Sequence, residues 1–177
     1  VMGSADDFFK TFFREVVIKY VKWFGANPEP FKEAFLKAIE AMTNNTTDKT
    51  NETVFYNTMA ELTGINIQKI KDFFVDFYDN EFKNTHEAYD PIPLMGEVLD
   101  YLHDKGYNII LATDPMFPRN AVDFKLSDCN INPRYFSLIT TNQNCTRTKI
   151  SPDFYNEILT EHNVRPEFKY DLPDATI

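Results

Sequence analysis

From Asp6 to about Gly25 the apolar residues Phe9, Phe13, Val16, Val17, Tyr20 and Phe24 recur at spacings of three and four, which predicts one face of an amphipathic helix. The run Asn27-Pro28-Glu29-Pro30 ends it. A second helix is predicted from Pro30, a residue suited to a first helical turn, with Phe31, Ala34, Phe35, Ala38, Ile39 and Met42 on its stripe. After the polar run Thr43 to Thr53, a third and shorter helix carries Val54, Phe55, Met59 and Leu62 and stops at Gly64. The fourth has the strongest period, through Ile67, Ile70, Phe73, Phe74, Phe77, Tyr78 and Phe82. The first 86 or so residues therefore form a small all-helical unit that buries aromatic stripes against one another.

The pattern changes after Asp90-Pro91-Ile92-Pro93. Leu94, Val98, Leu99 and Leu102 keep helical spacing up to Asp104-Lys105-Gly106, and Tyr107 to Ala112 is then a short apolar run, as in a parallel strand buried on both faces. A helix from Pro118 to about Asp128, a strand at Phe136 to Thr140, a polar loop to Lys149 and a helix from Ser151 to His162 complete the series. Helix, strand, helix, strand, helix is the grammar of a doubly wound α/β fold.

Composition narrows the functional classes. With 43% hydrophobic residues in 177 the chain can bury a core, and 17 Phe and 9 Tyr against 5 Gly favour bulky helical faces. The net charge of -9 and the lack of a basic block disfavour nucleic-acid binding, which needs Lys and Arg to neutralise phosphates. No stretch approaches the roughly 20 apolar residues of a spanning helix, and residues 1–5 lack the regions of a signal peptide, so no membrane partner and a cytoplasmic location are expected. The N-x-T sequons at Asn44, Asn45, Asn51 and Asn144 carry little weight in a chain rich in Asn and Thr. Cys129 and Cys145 make no metal-binding pattern, and His86, His103 and His162 are dispersed.

In an open parallel sheet ligands bind beyond the carboxyl ends of the strands, which directs attention to Thr113 and Asp114. A hydroxyl and free backbone N–H groups there can hold anionic oxygens, although Thr113 could equally just start a turn. Lys149, after the second strand and its loop, would face the same edge and offset charge on a phosphoryl group; an isolated lysine is more often a solvated surface residue.

Leu111-Ala112-Thr113-Asp114-Pro115-Met116-Phe117-Pro118 after a strand, with Lys149-Ile150-Ser151-Pro152-Asp153-Phe154-Tyr155 downstream, resembles the second and third motifs of haloacid dehalogenase-like (HAD) hydrolases. The helical stretch 6–86 sits where many members insert a helical cap. The resemblance implies an α/β, HAD-like Rossmannoid parallel sheet, incomplete in this sequence, with residues 6–88 as cap and 89–177 as part of the catalytic core. It implies a Mg2+-dependent phosphohydrolase acting on a small phosphorylated metabolite through an aspartyl-phosphate. Thr113, aided by the Asp114 backbone, would bind the phosphoryl group, and Lys149 would stabilise the oxygens of nucleophile and phosphoryl together.

Two family features read differently here. The nucleophile motif D-x-D-x-[TV] does not precede the cap, and Asp6-Asp7 reads as the acidic start of a helix, so the chain as given is expected to be inactive. Asp171 and Asp174 fall at about the right distance after Lys149 for the family's acidic magnesium ligands, but the segment is polar and Pro173 would interrupt a strand, so a frayed tail is the other reading. The alternative to an enzyme is a non-catalytic HAD-derived module whose aromatic helical unit binds a partner or forms a homodimer.

Overall fold

A computed structural model describes residues 4–161. Helix α1 (Ala5–Phe24) opens on Ser4, whose hydroxyl accepts from the Asp7 N–H, and Asp6 and Asp7 sit at its positive end. Its buried face centres on Phe12, Val16 and Tyr20, one position away from the Phe9 and Phe13 stripe expected above. With Phe at 8, 9, 12 and 13, either face of this turn could have been the buried one, and packing selects Phe12.

Helix α2 (Pro28–Thr43) starts under an Asn27 cap, and α3 (Asn51–Thr63) under Thr50, three residues earlier than its apolar stripe suggests. Gly64 ends α3 at φ +68°, the left-handed position expected of it, where a side chain would be strained. Helix α4 (Ile67–Asp79) buries Ile70, Phe73, Phe74 and Phe77. It stops before Phe82, which the sequence placed on the same helix; the chain tightens instead into a 3-10 segment at Glu81–Ala88. Asn80 marks the break, its side-chain amide donating to the Asp76 carbonyl at 2.9 Å and competing with the helical ladder. Phe82 is nevertheless fully buried.

Aromatic rings make up the core of this unit. Phe74 meets Phe55 edge-on at 5.2 Å and stacks on Phe35 at 6.1 Å, while Ala34 and Ala38 let α2 approach closely. Lys19 is buried beside this core and donates to Asp76 and, at 2.6 Å, to Glu81. Desolvation works against its ammonium, but the two hydrogen-bonded carboxylates outweigh it and raise the pKa.

Helix α5 (Met95–Asp104) leads into strand β1 (Ile109–Leu111), which pairs in parallel with β2 (Phe136–Ile139) across helix α6 (Arg119–Asp128). Helix α7 (Asp153–Glu161) follows. The β1 residues are only partly buried, whereas the sequence predicted a strand covered on both faces. Among the described residues β1 is hydrogen-bonded to β2 alone, which leaves its other edge open. The helical core continues across this half of the fold: Phe117 meets Phe12 edge-on at 5.3 Å, and Ala121 of α6 is fully buried against the same cluster. No helix among the described residues is long and apolar enough to cross a membrane.

Candidate active site

Both strands end at one rim. Beyond β2, Thr140 donates its backbone N–H to the Leu111 carbonyl (3.1 Å) and its hydroxyl to the Thr113 carbonyl (2.7 Å), tying together the two chains that leave the sheet. The turn after Thr113 is closed by the Met116 N–H donating to the Asp114 carbonyl at 2.8 Å. Lys149 lies against this turn: its backbone N–H donates to Asp114 Oδ1 at 3.0 Å, and its Nζ donates to the Ala112 carbonyl at 3.1 Å. Thr113 and Lys149, 36 positions apart in sequence, are therefore held by one hydrogen-bonded knot.

The loop from Asn142 to Lys149 is fixed from both sides. Glu157 of α7 accepts from the Thr146 N–H (2.6 Å) and the Arg147 N–H (3.0 Å). On the other side the first turn of α3 docks on it. The Asn51 and Glu52 N–H groups, which have no partner within their own helix, donate to the carbonyls of Cys145 (2.9 Å) and Asn142 (2.8 Å). The Asn51 side chain is fully buried, donates to the carbonyls of Pro115 (3.3 Å) and Arg147 (3.2 Å), and accepts from Asn45 (3.1 Å). The sequons at Asn45 and Asn51 are thus occupied by side chains with structural work inside the fold.

A cavity of about 440 Å³ opens between the helical unit and this rim. Thr113 and Asp114 line it together with aromatic side chains such as Phe12, Phe35 and Phe55. Two further polar groups enter it that sequence reasoning missed. Asn142 is 7% exposed and its Oδ1 is buried with no hydrogen-bond partner among the described residues. Lys125 of α6 places its ammonium 3.4 Å from the centroid of the Phe8 ring and 5.2 Å from that of Phe117. Desolvation lowers the Lys125 pKa to about 8, and among the described residues no carboxylate pairs with it. Asn142 was within reach of the rule that singled out Thr113, since it stands three residues beyond β2; nothing in the sequence around Lys125 marks it.

A divalent cation needs several hard oxygen donors close together. Among the described residues no group of three or more His, Cys, Asp or Glu side chains is so arranged, and of the cavity's two carboxylates, Asp6 and Asp114, the second already accepts from Lys149. These residues do not make a magnesium site. Asp171 and Asp174 lie outside the described residues.

A family model described as haloacid dehalogenase-like hydrolase matches residues 15–169. No curated protein matches the chain.

Proposed function

The chain belongs to the haloacid dehalogenase-like hydrolase family, and from that premise we propose that its rim serves a phosphohydrolase reaction on a small phosphorylated metabolite. The observation that carries the reading is the tie between Lys149 and the Thr113–Asp114 turn at the end of β1. A phosphoryl group set there accepts from the Thr113 hydroxyl and from the Asp114 backbone N–H, while Lys149 neutralises its charge. One N–H of the Lys149 ammonium is used on Ala112, so two remain for an anion. The aromatic wall of the helical cap receives the leaving group and keeps water from the reacting oxygens.

The aspartyl-phosphate route requires a carboxylate nucleophile, and residues 1–177 contain no D-x-D sequence. Thr113 and Lys149 accordingly supply binding and charge stabilisation, and a protein of these 177 residues is expected to grip a phosphoryl mimic without hydrolysing it. Magnesium is usual in the family, but the described residues form no site for it, so no step here runs through the ion.

Calorimetric titration with phenylphosphonate tests the reading. Losing one hydrogen bond to a charged group corresponds to roughly 10-fold weaker binding, so Thr113→Val should bind about 10-fold more weakly and Lys149→Met at least as much so. Unchanged affinity in both variants would overturn the assignment, and magnesium-dependent phosphate release from an aryl phosphate would overturn the predicted inactivity.

A further inference from the structure

Lys125, which no carboxylate pairs with among the described residues, lines the same cavity as Thr113 and Asp114 but is no part of the knot that Lys149 makes with them. We propose that the cleft takes an organic ligand with two anionic ends, in which Lys125 pairs with a carboxylate, an aromatic or other apolar body lies on the cap wall, and the phosphoryl group sits at Thr113 and Lys149. The proposal deepens the function given above and rests on it for the phosphoryl end alone.

Three observations converge. Lys125 reaches the cavity from α6, partly buried under Phe8, Phe117 and Tyr89, whose ring faces offset only part of its lost hydration. A ligand carboxylate would complete that compensation, because an ion pair strengthens where water is excluded. Second, Asn142 lines the same cavity, is more than nine-tenths buried and has no donor to its Oδ1 among the described residues, so this acceptor is open to an O–H or N–H on the ligand's body and not to its anionic ends. Third, the remaining lining is dominated by Phe and Tyr side chains, which favour a flat apolar body over a sugar.

The other charged groups on the cavity do not cancel this field. Asp6 and Asp114 are exposed, so solvent screens them, and Asp114 is engaged by Lys149. Cys129, one turn along α6, has its thiol pKa raised, chiefly by burial, and stays neutral near pH 7.

Three probes at pH 7 separate the two ends: benzoate, phenylphosphonate and 4-carboxyphenylphosphonate, titrated into the full chain. The doubly anionic probe should bind at least about 10-fold more tightly than phenylphosphonate, the scale of one charged pair. Lys125→Met and Lys125→Gln should abolish that gain and benzoate binding, yet leave phenylphosphonate within about threefold; a melting temperature no lower than the parent's shows that the fold is intact. If both variants keep the gain, or if neither benzoate nor the doubly anionic probe binds, the inference fails. If benzoate depends on Lys125 while phenylphosphonate ignores Thr113→Val and Lys149→Met, the Lys125 site stands and the phosphohydrolase reading falls.

Discussion

Replacing Asn51 by Ala tests how the helical cap is held to the rim. The carboxamide makes three hydrogen bonds: two donated to the Pro115 and Arg147 carbonyls and one accepted from Asn45. All lie in a site where Asn51 is fully buried, so truncation strands their partners away from water. At about 1 kcal/mol net for each bond the loss is about 3 kcal/mol, falling towards about 2 if a water enters the vacated space. With a urea slope of about 2 kcal/mol per molar, the unfolding midpoint should fall by about 1 to 1.5 M. Trp23, the single tryptophan, reports the transition. Asn51→Asp should cost at least as much, because it keeps the oxygen facing Asn45 but turns a second oxygen on two carbonyls. Hydrogen exchange should quicken at Glu52, whose N–H crosses to Asn142, before global unfolding. A midpoint shift below about 0.3 M for Asn51→Ala would refute the claim that these bonds secure the docking.

Glu157→Ala removes the acceptor of two loop N–H groups and should cost about 2 kcal/mol, with Glu157→Gln costing roughly half; equal stability of all three proteins in urea would contradict the role given to this carboxylate. Lys125→Met should stabilise the free protein. The folded pKa, about 8, lies below the ordinary 10.5, so the unfolded chain holds the proton more firmly between these values and the parent's stability rises with pH across that window. Below about pH 8 the full penalty is present, so the variant should be more stable by about 1 to 2 kcal/mol near pH 7, after discounting for partial exposure and ring contacts, and the two should meet above pH 10.5. Carrying both proteins in a Cys129→Ser background and taking their difference removes the thiol that interacts with Lys125 as well as the titrations of the tyrosines. A difference that stays flat from pH 7 to 11 would show that Lys125 is not desolvated.

The parts of this fold legible in sequence are those set by local periodicity and by strand ends. The α4 stripe was readable because Ile70, Phe73, Phe74 and Phe77 leave one helical face no other solution. That Thr113 and Lys149 come to one rim was readable because each follows a strand or its loop, where backbone groups point out of the sheet; their part in binding a phosphoryl group is the proposal made above. Phe12 was misplaced by one position because neighbouring phenylalanines fit the same period, and Phe82 kept its burial while leaving its helix. Lys125 and Asn51 were illegible for a different reason. What distinguishes them is the surroundings: Lys125 sits among rings from α1 and the loop after β1, and Asn51 bridges carbonyls 64 and 96 residues away. No local pattern encodes such partners.

This long-range origin bears on what the site is. Were the cap joined to the sheet by apolar contact alone, it could slide over the rim with little change at Lys149. Instead the first N–H groups of α3 end on the loop that carries Lys149, and Asn51 joins that loop to Pro115, two residues from Thr113. Directional bonds of this kind transmit small displacements, because each has a narrow range of productive geometry. A shift at the start of α3 therefore changes the distance between the hydroxyl and the ammonium proposed to share a phosphoryl group. The same shift moves the aromatic wall that faces them. On this geometry cap position and anion grip are one variable, so Asn51→Ala should weaken phenylphosphonate binding even though Asn51 is not among the residues proposed to touch the anion.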